Sequence, residues 1–204
     1  IQKRNKPDVS NFIGPGKIKE IKDYIETTED PVDFIIINGI LKPSQWFHME
    51  QHFKIDVFDR IRLILTIFKD RAKRKEAKLQ VRLAELEYEK PYVKELIHRS
   101  RSGEHPGLLA GGEYQVDDYF EMIKKQMKKI RQDLKKIEIQ QNLRVSERKE
   151  RGFYLAAIVG YTNAGKSLLL NHITSGQVVV EERVFSTLSP KTSRLEGRSS
   201  IPLL

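Results

Sequence analysis

Between Arg60 and Ser102 the chain contains no glycine, and apolar residues recur in a three-four rhythm at Ile61, Leu65, Phe68, Ala72, Leu79, Leu83, Leu86 and Val93. That spacing places them on one side of an α-helix, and at 1.5 Å per residue a helix of this extent would span roughly 60 Å. Pro91 is expected to kink or interrupt it near its end. An apolar seam of such length must pack on something. A second seam, Val116, Phe120, Ile123, Met127, Ile130, Leu134 and Ile137, steps by four and three as a coiled-coil seam does. Between the two lies Ser102 to Glu113, rich in glycine and carrying Pro106, which cannot be helical. The two helices are therefore expected to fold back as an antiparallel hairpin with an exposed, glycine-rich tip over 102–114.

Residues 1–59 read as a small α/β unit. Ile13-Gly14-Pro15-Gly16 makes a turn, and Ile18, Ile21 and Ile25 then recur at helical spacing up to Asp30-Pro31. Phe34-Ile35-Ile36-Ile37 is a short continuous apolar run ended by Asn38-Gly39, the pattern of a strand buried on both faces. Pro43-Ser44 opens a second helix, with Ser44 as the expected N-cap and Phe47 and Phe53 as its apolar contacts. Ile55, Val57 and Phe58 supply another strand. Strand, helix and strand at this spacing predict a parallel sheet.

Hydrophobic residues make up 39% of the chain, too many for a disordered one. With Cys 0, disulfide frameworks, thiolate catalysis and zinc-cysteine sites drop out together, and the five histidines are scattered. No window has the roughly 18 uncharged apolar residues of a membrane span, and no apolar stretch of a signal peptide opens the chain, so a soluble cytoplasmic protein is expected. The first residue is Ile rather than Met, which suggests that a start has been trimmed. The net charge of +9 is unevenly spread: −2 over 1–59, +7 over 60–102, −2 over 103–114, +4 over 115–151 and +2 over 152–204. A basic elongated element between near-neutral segments suits a phosphate-backbone binder. Charge alone favours the plainer reading, a solvated face of helices rich in Lys, Arg and Glu.

Residues 144–152, Arg-Val-Ser-Glu-Arg-Lys-Glu-Arg-Gly, read as a charged hinge after which a new fold begins. Tyr154-Leu155-Ala156-Ala157-Ile158-Val159 is an apolar strand that runs into Gly160-Tyr161-Thr162-Asn163-Ala164-Gly165-Lys166-Ser167, and Leu168, Leu169, Leu170 and Ile173 start a helix behind it. This is a phosphate-binding loop in the strand-loop-helix context that the pattern requires. Gly160 and Gly165 let the backbone wrap a phosphate, so that successive N–H groups and the helix N-terminus face its oxygens. Lys166 adds a point charge that can reach the β and γ phosphates, and the Ser167 hydroxyl can ligate Mg²⁺. Thr162, Asn163 and Ala164 offer mainly backbone donors.

The loop does not by itself choose between GTP and ATP. Asn5-Lys6-Pro7-Asp8 matches a guanine-reading pattern, but only Ile1-Gln2-Lys3-Arg4 precedes it where a buried apolar strand is required, so it is read as a chance match. No Asp-x-x-Gly occurs, and Ile201-Pro202-Leu203-Leu204 looks like a strand ending where that motif would be due. The expectation is that the sequence holds the first part of a GTPase domain and not the rest.

The order of parts resembles the HflX family of ribosome-associated GTPases. Beyond the loop, the resemblance rests on Ile13-Gly-Pro-Gly-Lys17, Leu41-Lys-Pro-Ser-Gln45, the segment Arg71-Ala-Lys-Arg-Lys-Glu-Ala-Lys-Leu-Gln-Val81 with Leu83-Ala84, and Phe185-Ser-Thr-Leu-Ser-Pro190, which is similar to the family's switch I. It implies an α/β protein in three parts: a small parallel α/β unit over 1–59, a long basic antiparallel helical hairpin over 60–151, and the start of a P-loop GTPase domain over 152–204. It also implies that residues 160–167 hold the nucleotide, that Ser167 and Thr187 meet Mg²⁺, and that Phe185, Ser186, Leu188 and Ser189 lie beside the nucleotide. Thr192 is the competing hydroxyl, and the Thr-Leu-x-Pro spacing favours Thr187. GTP would be the substrate and the large ribosomal subunit with its rRNA the partner, in splitting or rescue of ribosomes. Lys73, Arg74 and Lys75, with Gly111 and Gly112 at the tip, would contact RNA. The family's tip usually reads Gly-Pro-Gly-Glu where this chain has Ala110-Gly111-Gly112-Glu113. Two alternatives stay open: a P-loop ATPase with a mechanical or dimerising arm, and a non-catalytic RNA-binding or interaction module with a vestigial or truncated G domain.

Overall fold

The computed structural model describes residues 7–101, 113–174 and 192–193. They belong to two compact units, one of Ile1–Ile67 with Ala84–Met127, the other of Phe68–Leu83 with Lys128–Leu204.

The first unit starts at α1 (Pro15–Thr27), with Gly14 as N-cap and Pro15 in the first turn, where its missing N–H costs nothing. Strand β1 (Phe34–Ile37) pairs in parallel with β2 (Asp56–Asp59), Ile35 opposite Val57 and Ile37 opposite Asp59. Helix α2 (Pro43–Phe53) makes the crossover between them, as the sequence predicts. Ile18, Ile37, Leu41, Met49, Phe53 and Val57 form the core, with Met49 and Val57 fully buried.

Two local expectations are corrected. The β1 run is buried on one face only. Phe34 and Ile36 are each 49% exposed, with the Phe34 ring 5.4 Å from Phe58 and the Arg62 guanidinium 4.2 Å over that second ring. The N-cap of α2 is Lys42 rather than Ser44, because Gln45 Oε1 accepts the Lys42 N–H at 3.0 Å. Gln45 is buried, and its Nε2 donates to the carbonyls of Asp8 (2.8 Å) and Val9 (3.1 Å), so all its polar atoms are used.

A buried carboxylate closes the unit. Asp59 Oδ1 accepts the Arg62 N–H at 2.8 Å, capping α3 (Arg60–Arg71), while Oδ2 accepts the Leu41 N–H at 3.1 Å. From α4 (Lys75–Arg101), Tyr92 packs edge-on against Trp46 and hydrogen-bonds the Leu41 carbonyl (3.1 Å) and Tyr88 Oη (2.6 Å). Burial, then Tyr92 and the Asp59 carboxylate, pushes the Tyr88 phenol above its ordinary range, so it remains a hydrogen-bond donor. Farther along α4, Arg99 stacks 4.6 Å over Phe47, binds Glu95 at 2.8 Å and meets His48 Nε2 at 3.2 Å. A guanidinium only donates, so His48 accepts there and donates from Nδ1 to the Ser10 carbonyl at 3.1 Å.

Glu50 sits half-buried between the Val57 N–H (3.2 Å) and Arg62 (3.6 Å), and burial pushes its carboxyl above the ordinary 4.5. The folded state thus binds that proton more tightly than the unfolded one, and stability falls as pH rises from 4.5 through the raised value. Glu50→Gln, which keeps an acceptor for Val57, should therefore raise the melting temperature modestly at pH 7. The gain should vanish on acidification below 4.5. Scanning calorimetry at both pH values checks this, and a gain independent of pH would refute the assignment.

In the second unit the expected continuous helix from residue 60 is broken. α3 stops at Arg71 and α4 starts at Lys75. The cause is a phase jump in the apolar pattern. At 100° per residue, Phe68 and Ala72 would face away from Ala77 and Val81 in one continuous helix. The break lets all four gather in one small core. Pro91 does not interrupt α4, which runs through it to Arg101.

α5 (Glu113–Glu150) carries the second seam, with Ile123, Met127 and Ile130 buried. Tyr119 donates to Glu89 at 2.7 Å and Gln141 to Glu76 at 2.7 Å. The partners move in opposite directions along the chain, as an antiparallel pair requires. The charged hinge shrinks to Arg151–Phe153, since Lys, Arg and Glu are good helix formers and keep 144–150 helical. What ends α5 is a Schellman turn: Gly152, at φ +81°, donates to Lys149 O (2.9 Å) and Phe153 to Arg148 O (3.0 Å).

Candidate functional site

The loop from Gly160 to Ser167 leads into α6 (Lys166–Ile173). Residues 155–159 form no ladder among the described residues, and Tyr154 contributes a single bridge, so the expected strand is not formed among them. Strand character requires a pairing neighbour, which an apolar run does not itself supply.

Tyr161 to Ala164 make a tight turn closed by Ala164 N–H to Tyr161 O at 3.3 Å. Asn163 has φ +59° and Gly165 has φ +79°. Asparagine tolerates the left-handed region, whereas at Gly165, the N-cap of α6, a Cβ would be strained although nothing lies within 4 Å of its place. Such alternation of backbone hand curls successive N–H groups into a concave nest that suits an anion. The first helical bond is Leu169 N–H to Gly165 O at 2.8 Å. The amides of Lys166, Ser167 and Leu168 precede it and open toward the loop, at the positive end of the helix dipole.

Gly160 matters for a different reason. Its backbone is not left-handed, and a Cβ there would stand 3.7 Å from Ala164 Cβ and 3.8 Å from Lys166 Cγ and Cδ. A side chain at 160 would therefore point into the mouth of the loop, where a phosphate must enter. Lys166 curls back so that Nζ donates to the Tyr161 carbonyl, which keeps the ammonium over the loop. Ser167, partly buried at the second helical position, is one hydroxyl beside that mouth. A single hydroxyl with phosphate oxygens and water suits Mg²⁺, which keeps much of its hydration and needs few protein ligands. Tyr161, Thr162, Asn163 and Ala164 are exposed.

Phe185, Ser186, Thr187, Leu188 and Ser189 lie outside the described residues, as do Gly111 and Gly112. Thr192 is described and exposed. Lys73, Arg74 and Lys75 are exposed at the break between α3 and α4, where the sequence places them inside a helix. Asp8, of the rejected guanine-like tetrad, spends its carboxylate on the Ser10 and Asn11 N–H groups at 3.0 Å each, a local turn. Gly14 and Pro15 begin α1. Sequence reasoning missed the Tyr161 carbonyl as the resting partner of Lys166, since a backbone acceptor leaves no mark in residue types. No group of three or more His, Cys, Asp or Glu that could hold a metal occurs among the described residues, and none of their helices is long and apolar enough to cross a membrane.

Three family descriptions match the chain in order: the GTP-binding GTPase N-terminal region over residues 1–69, the GTP-binding GTPase middle region over 71–148, and the 50S ribosome-binding GTPase over 155–203. Among curated relatives the chain is similar to GTPase HflX of Thermococcus kodakarensis, 42% identical over 182 residues that cover 89% of this chain and 41% of that protein. GTPase HflX of Methanocaldococcus jannaschii is 37% identical over 192 residues, 94% of this chain and 47% of that one. Among solved structures, SsGBP in complex with GDP is similar with a TM-score of 0.54 at 27% identity, covering 98% of this chain and 51% of that chain. The chain spans about half, or less, of the length of each.

Proposed function

We propose, since the chain belongs to the HflX family of GTPases, that it supplies the phosphate grip and the RNA-facing arm of a GTP-hydrolysing protein that acts on the large ribosomal subunit. Gly160 to Ser167 hold the phosphates of GTP or GDP through the loop amides and Lys166. Ser167 from the loop and Thr187 from switch I hold Mg²⁺, which when bound neutralises charge on the β and γ phosphates. Phe185, Ser186, Leu188 and Ser189 flank the nucleotide. Residues 1–59, 60–151 and 152–204 act as three parts. The order of the three matched regions supports that division. Cytoplasmic location follows from a ribosomal partner.

The observation that carries this reading is the loop itself: a left-handed Gly165 capping α6, with the Lys166 ammonium folded over the same concavity. In this reading Lys166 exchanges the Tyr161 carbonyl for phosphate oxygens, a stronger, charge-assisted partner. The proposed RNA contact uses Lys73, Arg74 and Lys75, which are exposed where α3 gives way to α4, together with Gly111 and Gly112 at the tip.

Reversing Lys73, Arg74 and Lys75 to Glu in the full-length protein is expected to weaken cosedimentation with large ribosomal subunits and to flatten its dependence on salt by roughly two units of slope or more. Helical circular dichroism should be unchanged, since the three side chains are exposed. An unaltered slope in a folded variant would count against the RNA role.

A further inference from the structure

Strand β1 carries an apolar side chain at every position, yet the core of the first unit uses only alternate ones. Ile35, Ile37 and Val57 pack toward α1 and α2, where they meet Ile18, Met49 and Phe53. The two-residue period of a strand sends their neighbours to the opposite face. The register sets Phe34 beside Asp56 and Ile36 beside Phe58, so these four share that second face. The Phe34 and Phe58 rings lie 5.4 Å apart there, Arg62 covers Phe58 from 4.2 Å, and Phe34 and Ile36 stay 49% exposed. Asp56 is exposed as well.

Such a face is out of keeping with the pairing that builds it. Antiparallel sheets often leave one side to water and carry polar residues on it, whereas parallel sheets occur almost only with helices over both sides. Polar residues at 34 and 36 would serve the inner core equally well. Phenylalanine and isoleucine there are explained by a cover.

We infer that the second face of the β1–β2 sheet is a docking surface for an amphipathic helix of the same polypeptide, drawn from outside residues 1–204. Size decides between a tethered and a free occupant. The exposed apolar area, about half of two large side chains with the rim of the Phe58 ring, comes to roughly 200 Å². A stable complex between separate molecules buries about 800 Å² on each partner, so neither a second copy nor a foreign protein is held by this face alone. A tethered segment needs far less, because the tether supplies a high effective concentration. Length leaves room for one, since the aligned residues make up 41% and 47% of the two HflX relatives. Charge argues against RNA: Asp56 stands on the face itself, and residues 1–59 carry net −2. The occupant is a helix rather than a loop, because a helix satisfies its own backbone against an apolar floor. It presents an apolar stripe to Phe34 and Ile36 and a Lys or Arg within reach of Asp56. The inference goes beyond the nucleotide and ribosomal reading and stands without it.

The test uses the full-length protein in a background free of cysteine, with circular dichroism verifying the fold of each variant. Ile36→Cys and, as an exposed reference on α1, Tyr24→Cys are labelled with a maleimide, and each rate is compared with that of the same variant in concentrated urea; Tyr24 is 65% exposed. Under a docked helix the thiol at 36 reacts only through local opening, so its protection should exceed that of the reference by about a hundredfold. Protection within about threefold of the reference, the result for a face left to water, would overturn the inference. A second variant leaves Ile36 intact: Phe34→p-benzoylphenylalanine is irradiated with and without large ribosomal subunits, and the cross-linked peptides are identified by mass spectrometry. Cross-links to residues outside 1–204 of the same molecule are expected. Cross-links confined to residues 1–204, to a second copy or to ribosomal components would each overturn the assignment.

Discussion

Lys166→Ala should abolish useful nucleotide binding, lowering the affinity for GTP by about a hundredfold. In the proposed site the ammonium would contribute charge-assisted hydrogen bonds to two phosphate groups, and the loss of about 3 kcal/mol that these represent is close to two decades in Kd. Nothing structural should follow, because among the described residues Nζ meets only the Tyr161 carbonyl on an exposed loop. Calorimetric titration of the full-length protein with magnesium GTP and magnesium ATP, beside a thermal melt, separates the outcomes. Loss of GTP binding with an unchanged melt supports the assignment. Unchanged affinity would remove the loop from the nucleotide site. Tighter binding of ATP than GTP by the unmodified protein would favour the ATPase alternative. If the variant also associates with ribosomes identically under every nucleotide condition, the chain acts as an RNA-binding module in which the loop is a vestige.

The largest stability loss is expected at a residue with no part in that chemistry. Asp59→Ala removes the N-cap of α3 and leaves the buried Leu41 N–H and Tyr88 phenol without their acceptor. A lost cap costs about 1 kcal/mol, and each orphaned buried donor about 1–3 kcal/mol, so a total of about 4 kcal/mol is expected. Asp59→Asn keeps one oxygen and should cost less than half of that. Urea unfolding followed by tryptophan fluorescence is a suitable probe, since Trp46 packs on Tyr92 beside the network. Equal losses from the two variants would show that the side-chain volume, and not its acceptors, matters at this position. Nucleotide affinity of the surviving folded fraction should stay at the unmodified value.

How much of this was legible in residue order differs from part to part. The loop before α6 is the clearest case, because the proposed phosphate donors come from eight consecutive residues and glycine at 165 suits a local left-handed dihedral angle. The parallel pairing of β1 with β2 is also local, fixed by a crossover of ordinary length. The exposed face of β1 was not, since Phe34 and Ile36 read as buried to any rule that counts hydrophobicity alone. The continuous helix failed at a definite place, the five-residue step from Ala72 to Ala77, where the apolar phase jumps. The charged run before Gly152 failed for the opposite reason: charge marks solvation and leaves helix propensity intact. Asp59 could not be found in advance, because its partners come from three separate stretches of chain.

The Schellman turn that ends α5 leaves only Arg151 to Phe153 between the helix and the approach to the phosphate loop, and hydrogen bonds reaching back into the last helical turn tie those residues down. A joint that short behaves as a keyed shaft does, handing on twist as well as displacement, whereas a slack tether would hand on neither.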